Sequence, residues 1–205
     1  NDLTQYNKAQ REIAESEEKY RLLVENSSEI IFQLDENNKF TFINKAFTNI
    51  LGYKEEEVLN QHGTNYVIPD DRWILEYIQK TVLKGKPIKR LQYRVITKAG
   101  NIIHLSTNMQ PIMDENANII ATYGIARDIT EEVHAQKELE QSEEKYRRVV
   151  ETSSDIIFVS DLEGNYLFLN SANVRLLGFE LEELMVKNGF SLIHPADLPR
   201  VKKEM

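Results

Sequence analysis

The chain has 205 residues, 41% hydrophobic and 28% charged, a composition typical of folded rather than disordered proteins. Its net charge of −8 argues against a nucleic-acid or anionic-membrane surface, and the absence of cysteine excludes disulfides, thiolate metal sites, cysteine nucleophiles and cysteinyl chromophore adducts. No apolar run approaches the roughly 20 residues that span a bilayer and no secretory signal is visible, so the expected setting is cytoplasmic, without membrane contact.

The chain also repeats itself. Ser16-Glu17-Glu18-Lys19-Tyr20-Arg21 recurs 126 residues later as Ser142-Glu143-Glu144-Lys145-Tyr146-Arg147, and the same register carries Asp35, Asn44 and Leu51-Gly52 onto Asp161, Asn170 and Leu177-Gly178. A period of this length fits one small domain plus its connector rather than a solenoid unit. The expected organisation is a connector helix over 1–25, one complete domain over 26–130, a second connector over 128–151, and the N-terminal half of a second domain over 152–205.

In chain order, the first element is a helix whose seam positions step by three and four: Leu3, Tyr6, Gln10, Ile13, Glu17, Tyr20, Val24. The second connector repeats the pattern at Ile129, Glu132, Gln136, Leu139, Glu143, Tyr146 and Val150. This is a heptad seam, and polar residues within it can fix register and strand number. A parallel two-stranded coil in a homodimer is the preferred reading. An amphipathic helix lying back on its own domain is the alternative.

After Val24 the period changes from helical to two. Residues 30–34 form a strand, Asp35-Glu36-Asn37-Asn38 a turn, and Phe40–Ile43 the returning strand. Asn38 faces Gly164 in the repeat, an exchange expected at a positive φ. Residues 44–60 read as short helical pieces with Asn44 as cap and Gly52 as stop. Pro69-Asp70-Asp71 opens a longer helix, about Asp71 to Leu83, carrying Trp73, Ile74, Tyr77 and Ile78. Strands over 88–97, 102–113 and 118–127 follow, with turns at 99–101 and 114–117. The sum is an α+β unit with a five-stranded antiparallel sheet and short helices on one face.

These residues resemble a PAS domain of the tandem kind found in bacterial and archaeal sensor proteins. The resemblance rests on Ser-Glu-Glu-Lys-Tyr-Arg before the first strand, the Asp35 and Asn44 positions, Leu51-Gly52-Tyr53, His194-Pro195-Ala196-Asp197, and the closing Arg127-Asp128-Ile129-Thr130. It implies a sensory module controlling a downstream effector, commonly a histidine kinase. It also implies that Asp128 and Thr130 fasten the last strand to the connector, so that Asp128-Ile129-Thr130 is the relay motif. Ala99, Asn116-Ala117 and His104 depart from the family pattern at places where no change of fold is expected.

With the family's orientation, Leu91, Tyr93, Val95, Leu105, Thr107, Met109, Thr122, Gly124 and Ala126 point inward, joined by Phe32 and Leu34. The small trio Thr122, Gly124, Ala126 opposite larger residues would leave a pocket, closed by Trp73, Tyr77 and Ile78, that suits a small, mostly apolar ligand. Alternatively Trp73, Tyr93 and Met109 fill the space. No cofactor is expected: the resemblance implies a cysteine for the cysteinyl-flavin and yellow-protein chromophores and usually a histidine in residues 71–84 for haem, and both are lacking here, while noncovalent FAD stays open with no residue arguing for it. His62 reads as an exposed loop residue, His104 as outward-facing, His134 as lacking the context of a kinase phosphoacceptor, and His194 as a helix-start residue. None has metal-ligand spacing. The cluster Lys84, Lys86, Lys89, Arg90 reads as a solvated rim.

No catalytic constellation is visible. The expected function is a sensor segment, with a ligand-free dimerisation spacer as the alternative. In the half-unit, Ile156, Phe158 and Phe168 would be exposed, so it is expected to pair with another chain's half-unit or to be poorly ordered.

Overall fold

The computed structural model describes residues 2–82 and 84–204. The chain divides into two units, Asn1–His134 and Ala135–Met205. The first opens with α1 (Asp2–Glu25), followed by β1 (Ile30–Asp35), β2 (Phe40–Ile43), α2 (Lys45–Leu51), α3 (Glu55–Val58) and α4 (Trp73–Val82). Three long strands complete it: β3 (Ile88–Ile96), β4 (Ile102–Met113) and β5 (Ile119–Asp128). Helix α5 (Thr130–Thr152) spans the division.

The sheet order is β2-β1-β5-β4-β3, all antiparallel. The first strand therefore lies beside the last, so both chain ends of the unit leave from the middle of the sheet. On the inner face Ile30, Phe32, Leu34, Val95, Leu105, Met109 and Ala126 are buried, as strand alternation requires. Helices α2 to α4 cover them. Phe40 is the hub of this layer, meeting Phe32, Phe47 and Tyr66 edge-on at 5.4–5.7 Å between ring centroids.

Helix α4 corrects one expectation. Ile74, Ile78 and Val82 form the buried stripe, whereas Trp73 and Tyr77 are 64% and 50% exposed. A helix presents residues four apart on one side, and the 74/78/82 stripe has taken the inward side. Trp73 and Tyr77 therefore neither close nor fill the interior. The helix also starts later than expected, because Asp71 belongs to a 3₁₀ turn (Pro69–Asp71), and Leu83 lies outside the described residues.

The turns follow their residues. Asn38 takes φ +58° and its counterpart Gly164 takes φ +86°. Asp35 accepts the N–H groups of Asn37 and Lys39, and Asp114 does the same for Asn116 and Asn118. Ala117 sits at φ +63°, where its Cβ is a cost.

In the second unit β6 (Phe158–Ser160) and β7 (Tyr166–Leu169) form a hairpin, followed by α6 (Ser171–Leu177), α7 (Leu181–Met185) and α8 (Leu198–Glu204). Ile156, Phe158 and Phe168 are exposed. Along the two long helices Tyr6, Ile13, Tyr20, Leu139 and Tyr146 are exposed, and Val24 and Val150 are half-buried. The side chain of Leu3 lies outside the described residues.

Replacing Ala117 by Gly should raise the stability of the first unit by roughly 0.5–1 kcal/mol, read as a higher urea midpoint at unchanged slope.

Candidate functional site

Three features of the first unit bear on function: a latch where α1 meets the domain, a latch where β5 meets α5, and the interior between them.

The upstream latch is Asn44, which is 1% exposed. Its Oδ1 accepts the N–H of Ile31 at 3.0 Å and that of Phe47 at 3.3 Å. Its Nδ2 donates to the carbonyls of Val24 and Glu29, both at 3.0 Å. One side chain thus caps α2, joins β1, and shares with the Ser27 N–H the Val24 carbonyl at the end of α1. Glu25 adds a second tie by accepting the N–H of Lys45 at 2.9 Å. The second unit repeats the arrangement: Asn170 accepts from Ile157 and donates to Val150 and Asp155. There Ser171 bonds Glu151 through both its N–H and its hydroxyl.

The downstream latch centres on Thr130. Its N–H and hydroxyl both donate to Asp128 Oδ1, at 2.9 and 2.5 Å, and its Oγ1 accepts the N–H of His104 at 2.9 Å. The Ile129 N–H donates to the carbonyl of His104 at 2.9 Å. The first turn of α5 is thus tied to the start of β4 at His104. Arg127 and Glu132 pair across the same junction.

Next to it, Asp71 receives the N–H of Arg94 at 2.8 Å and two guanidinium contacts at 2.7 and 3.0 Å. The Arg94 side chain holds the Asp71 carboxyl below its usual range, with smaller help from its backbone N–H and from His104, against the opposing effect of burial. Arg94 faces His104 across the β3–β4 ladder. His104 faces away from the interior, and His62 is half-buried rather than exposed, bonding Thr64 through Nδ1 at 2.9 Å.

The interior cavity measures about 50 Å³. Phe32, Leu34, Tyr93, Val95, Leu105, Met109 and Ala126 line it, together with Ile78 and Phe40. Leu91, Thr107, Thr122 and Gly124 lie on the same sheet face without reaching it. The space left by Gly124 is already used. Phe32 stands opposite it in the β1–β5 ladder, and a methyl group on Gly124 would come within 2.3 Å of the Phe32 ring. A glycine that looked like room for a ligand is room for a neighbouring ring. The Thr107 hydroxyl donates to the Tyr93 oxygen at 3.1 Å, and burial pushes the Tyr93 phenol upward despite that contact. Such a volume is well below the roughly 300–1,000 Å³ of ordinary small-molecule sites. Sequence reasoning missed Phe40, Phe47, Leu51, Tyr66 and Val67 as lining residues; the first three lie in segments read as strand or short helix, and the last two lie in a stretch assigned to no element.

A model of the PAS fold matches residues 18–129 and 144–205. The chain belongs to the PAS family. Among curated proteins it is similar to sporulation kinase A of Bacillus subtilis, 23% identical over 188 residues, which is 91% of this chain and 30% of that protein. Sporulation kinase C of the same organism is 26% identical over 133 residues, covering 65% of this chain and 31% of the kinase. The chain thus spans less than a third of the length of either relative. Among solved structures, the PAS domain of an HTR-like protein from Haloarcula marismortui is 20% identical with a TM-score of 0.53, covering 60% of this chain and 99% of that domain. The complete PAS unit is a sensory domain in type, and none of the helices among the described residues is long and apolar enough to cross a membrane.

Asn44→Ala should cost the first PAS unit about 1–3 kcal/mol, because the Ile31 N–H and the Glu29 carbonyl lose their partner while the Val24 carbonyl and the Phe47 N–H keep only their backbone bonds to Ser27 and Asn44. Urea unfolding with hydrogen exchange would read it, and the exchange should show α1 losing protection around residues 22–25. Because Asp71 is held below its ordinary 3.8 in the folded state, its contribution is complete above about pH 4 and is lost as pH falls through the folded value. Asp71→Asn should therefore flatten the acid side of the stability profile, measured by thermal unfolding between about pH 5 and pH 2.

Proposed function

We propose that this chain is a cytoplasmic relay segment in which a change inside the complete PAS unit is passed along α1 and α5 to a downstream effector such as a histidine kinase. In this reading residues 1–25 and 128–151 are connectors, 26–130 is the sensing unit, and 152–205 is the N-terminal half of a further PAS unit. The connectors pair with those of a second copy along Tyr6, Ile13, Tyr20, Leu139 and Tyr146, the exposed apolar positions of the seam.

The observation that carries the proposal is the pair of latches. Asn44 ties the end of α1, and Asp128 with Thr130 ties the start of α5, to strands that share one inner face. Force on that face is therefore delivered to both helices. That two similar proteins are sporulation kinases supports a kinase as the effector. The interior of about 50 Å³ favours a second reading, a ligand-free spacer that holds the connectors in phase.

Cysteines introduced singly at Leu139, Tyr146 and the off-seam Lys137 in this cysteine-free chain separate these readings. A dimer by native mass spectrometry, with disulfide crosslinks at Leu139 and Tyr146 but not at Lys137, is the expected result. Introducing Phe32→Leu should then change the crosslinking rate at Leu139 at least twofold. An unchanged rate would leave only the spacer, and absence of seam crosslinks would remove the coil from both readings.

A further inference from the structure

The outer face of the same sheet carries a feature that the relay does not use. Between Ile88, which faces Met109, and Leu91, which faces Thr107, the two residues Lys89 and Arg90 stand opposite the single residue Asn108. This is a β-bulge, a device that re-aims side chains. Arg90 adopts φ +53°, where a residue with a Cβ is strained and glycine is not. Asn108 holds it there, its Oδ1 accepting the Arg90 N–H at 2.9 Å.

The bulge borders a concavity of about 330 Å³, at the lower end of the roughly 300–1,000 Å³ that small-molecule sites occupy. Lys89, Arg90, Asn108, Gln110, Tyr123 and Ile125 line it. Every charged group in that lining is a cation, and Lys84 and Lys86 precede it on the same connection. None of these four cations forms an ion pair among the described residues. With Asn108 Oδ1 occupied by the Arg90 N–H, the Asn108 amide nitrogen remains as a donor, beside the Gln110 amide and the Tyr123 hydroxyl. The chain as a whole carries −8, so this is a local positive focus on an acidic molecule. Read from sequence alone, the four cations are a solvated rim; the bulge turns two of them onto a donor-lined hollow.

We infer that the hollow between the Lys89–Arg90 bulge and the Asn108, Gln110 and Tyr123 side chains binds a small, multiply charged oxyanion, a phosphate or a dicarboxylate, on the face of the PAS sheet opposite its interior. The size of the hollow selects a small molecule over a peptide, and the lining supplies donors from three strands. The site is independent of the relay: it needs neither the dimer nor the interior cavity.

Titration of the whole chain with inorganic phosphate and with succinate, each against chloride at equal ionic strength, tests it by calorimetry and amide chemical shifts. One of the two is expected to bind at a single site with a dissociation constant of about 1 mM or tighter, and whichever binds identifies the headgroup. The shifts should fall on residues 89, 90, 108, 110 and 123. Arg90→Gly is the decisive variant, because glycine accepts the positive φ and keeps the bulge. It should unfold at a higher temperature than the parent while binding at least tenfold more weakly, and Lys89→Gln should also weaken binding. If neither anion saturates, if the shifts lie elsewhere, or if Arg90→Gly binds as tightly as the parent, the inference fails.

Discussion

A helix ends with carbonyls that its own backbone cannot satisfy, and the most economical way to attach a helix to a domain is to answer one of them from inside that domain. Asn44 does this for Val24, and the same side chain holds the first strand and caps the next helix. Because the amide is fully buried, releasing α1 breaks the Asn44–Val24 bond inside the domain together with the Lys45–Glu25 bond. The helix end and the sheet are therefore one cooperative object. In the second unit Asn170 likewise joins Val150 at the end of α5 to Ile157, without capping the helix that follows it.

The sheet order gives that node its reach. With β1 paired to β5, the strand that Asn44 grips lies next to the strand that runs into α5. The Phe32 ring seated on Gly124 is the contact between them on the inner face. A displacement of Phe32 must therefore move β5 or open a void, and close packing makes either expensive. The small interior then favours detection of shape, or of a very small ligand, over storage of a large cofactor.

Much of this was legible in the residues. Alternation fixed all five strands to within a residue or two, the Asn38/Gly164 exchange announced a positive φ, and Gly52 ended α2 in the left-handed conformation as expected. What was hidden is long-range. Asn44 could be read as a cap for the helix after it, but its bonds to residues 20 positions earlier leave no periodic signal. Trp73 and Tyr77 offered one apolar stripe and Ile74, Ile78 and Val82 another; helix phase decides between them, and sequence does not contain the phase. Gly124 was read as empty space because the ring that fills it comes from a strand some ninety residues away. Asp71 was read as a helix start, and its partner Arg94 lies on a later strand. The Lys89–Arg90 bulge is likewise a property of pairing, invisible until β3 meets β4.

The central claim, that the end of α1 and the sheet open as one unit, is tested most directly by native-state hydrogen exchange across a denaturant series. The account predicts that the amides of Leu23, Val24 and Glu25 share one opening free energy and one denaturant slope with those of Phe32 and Ile125. Should the last turn of α1 exchange through a separate, low-energy, denaturant-independent opening while the strands stay protected, the helix would be hung on the domain rather than built into it, contradicting the account.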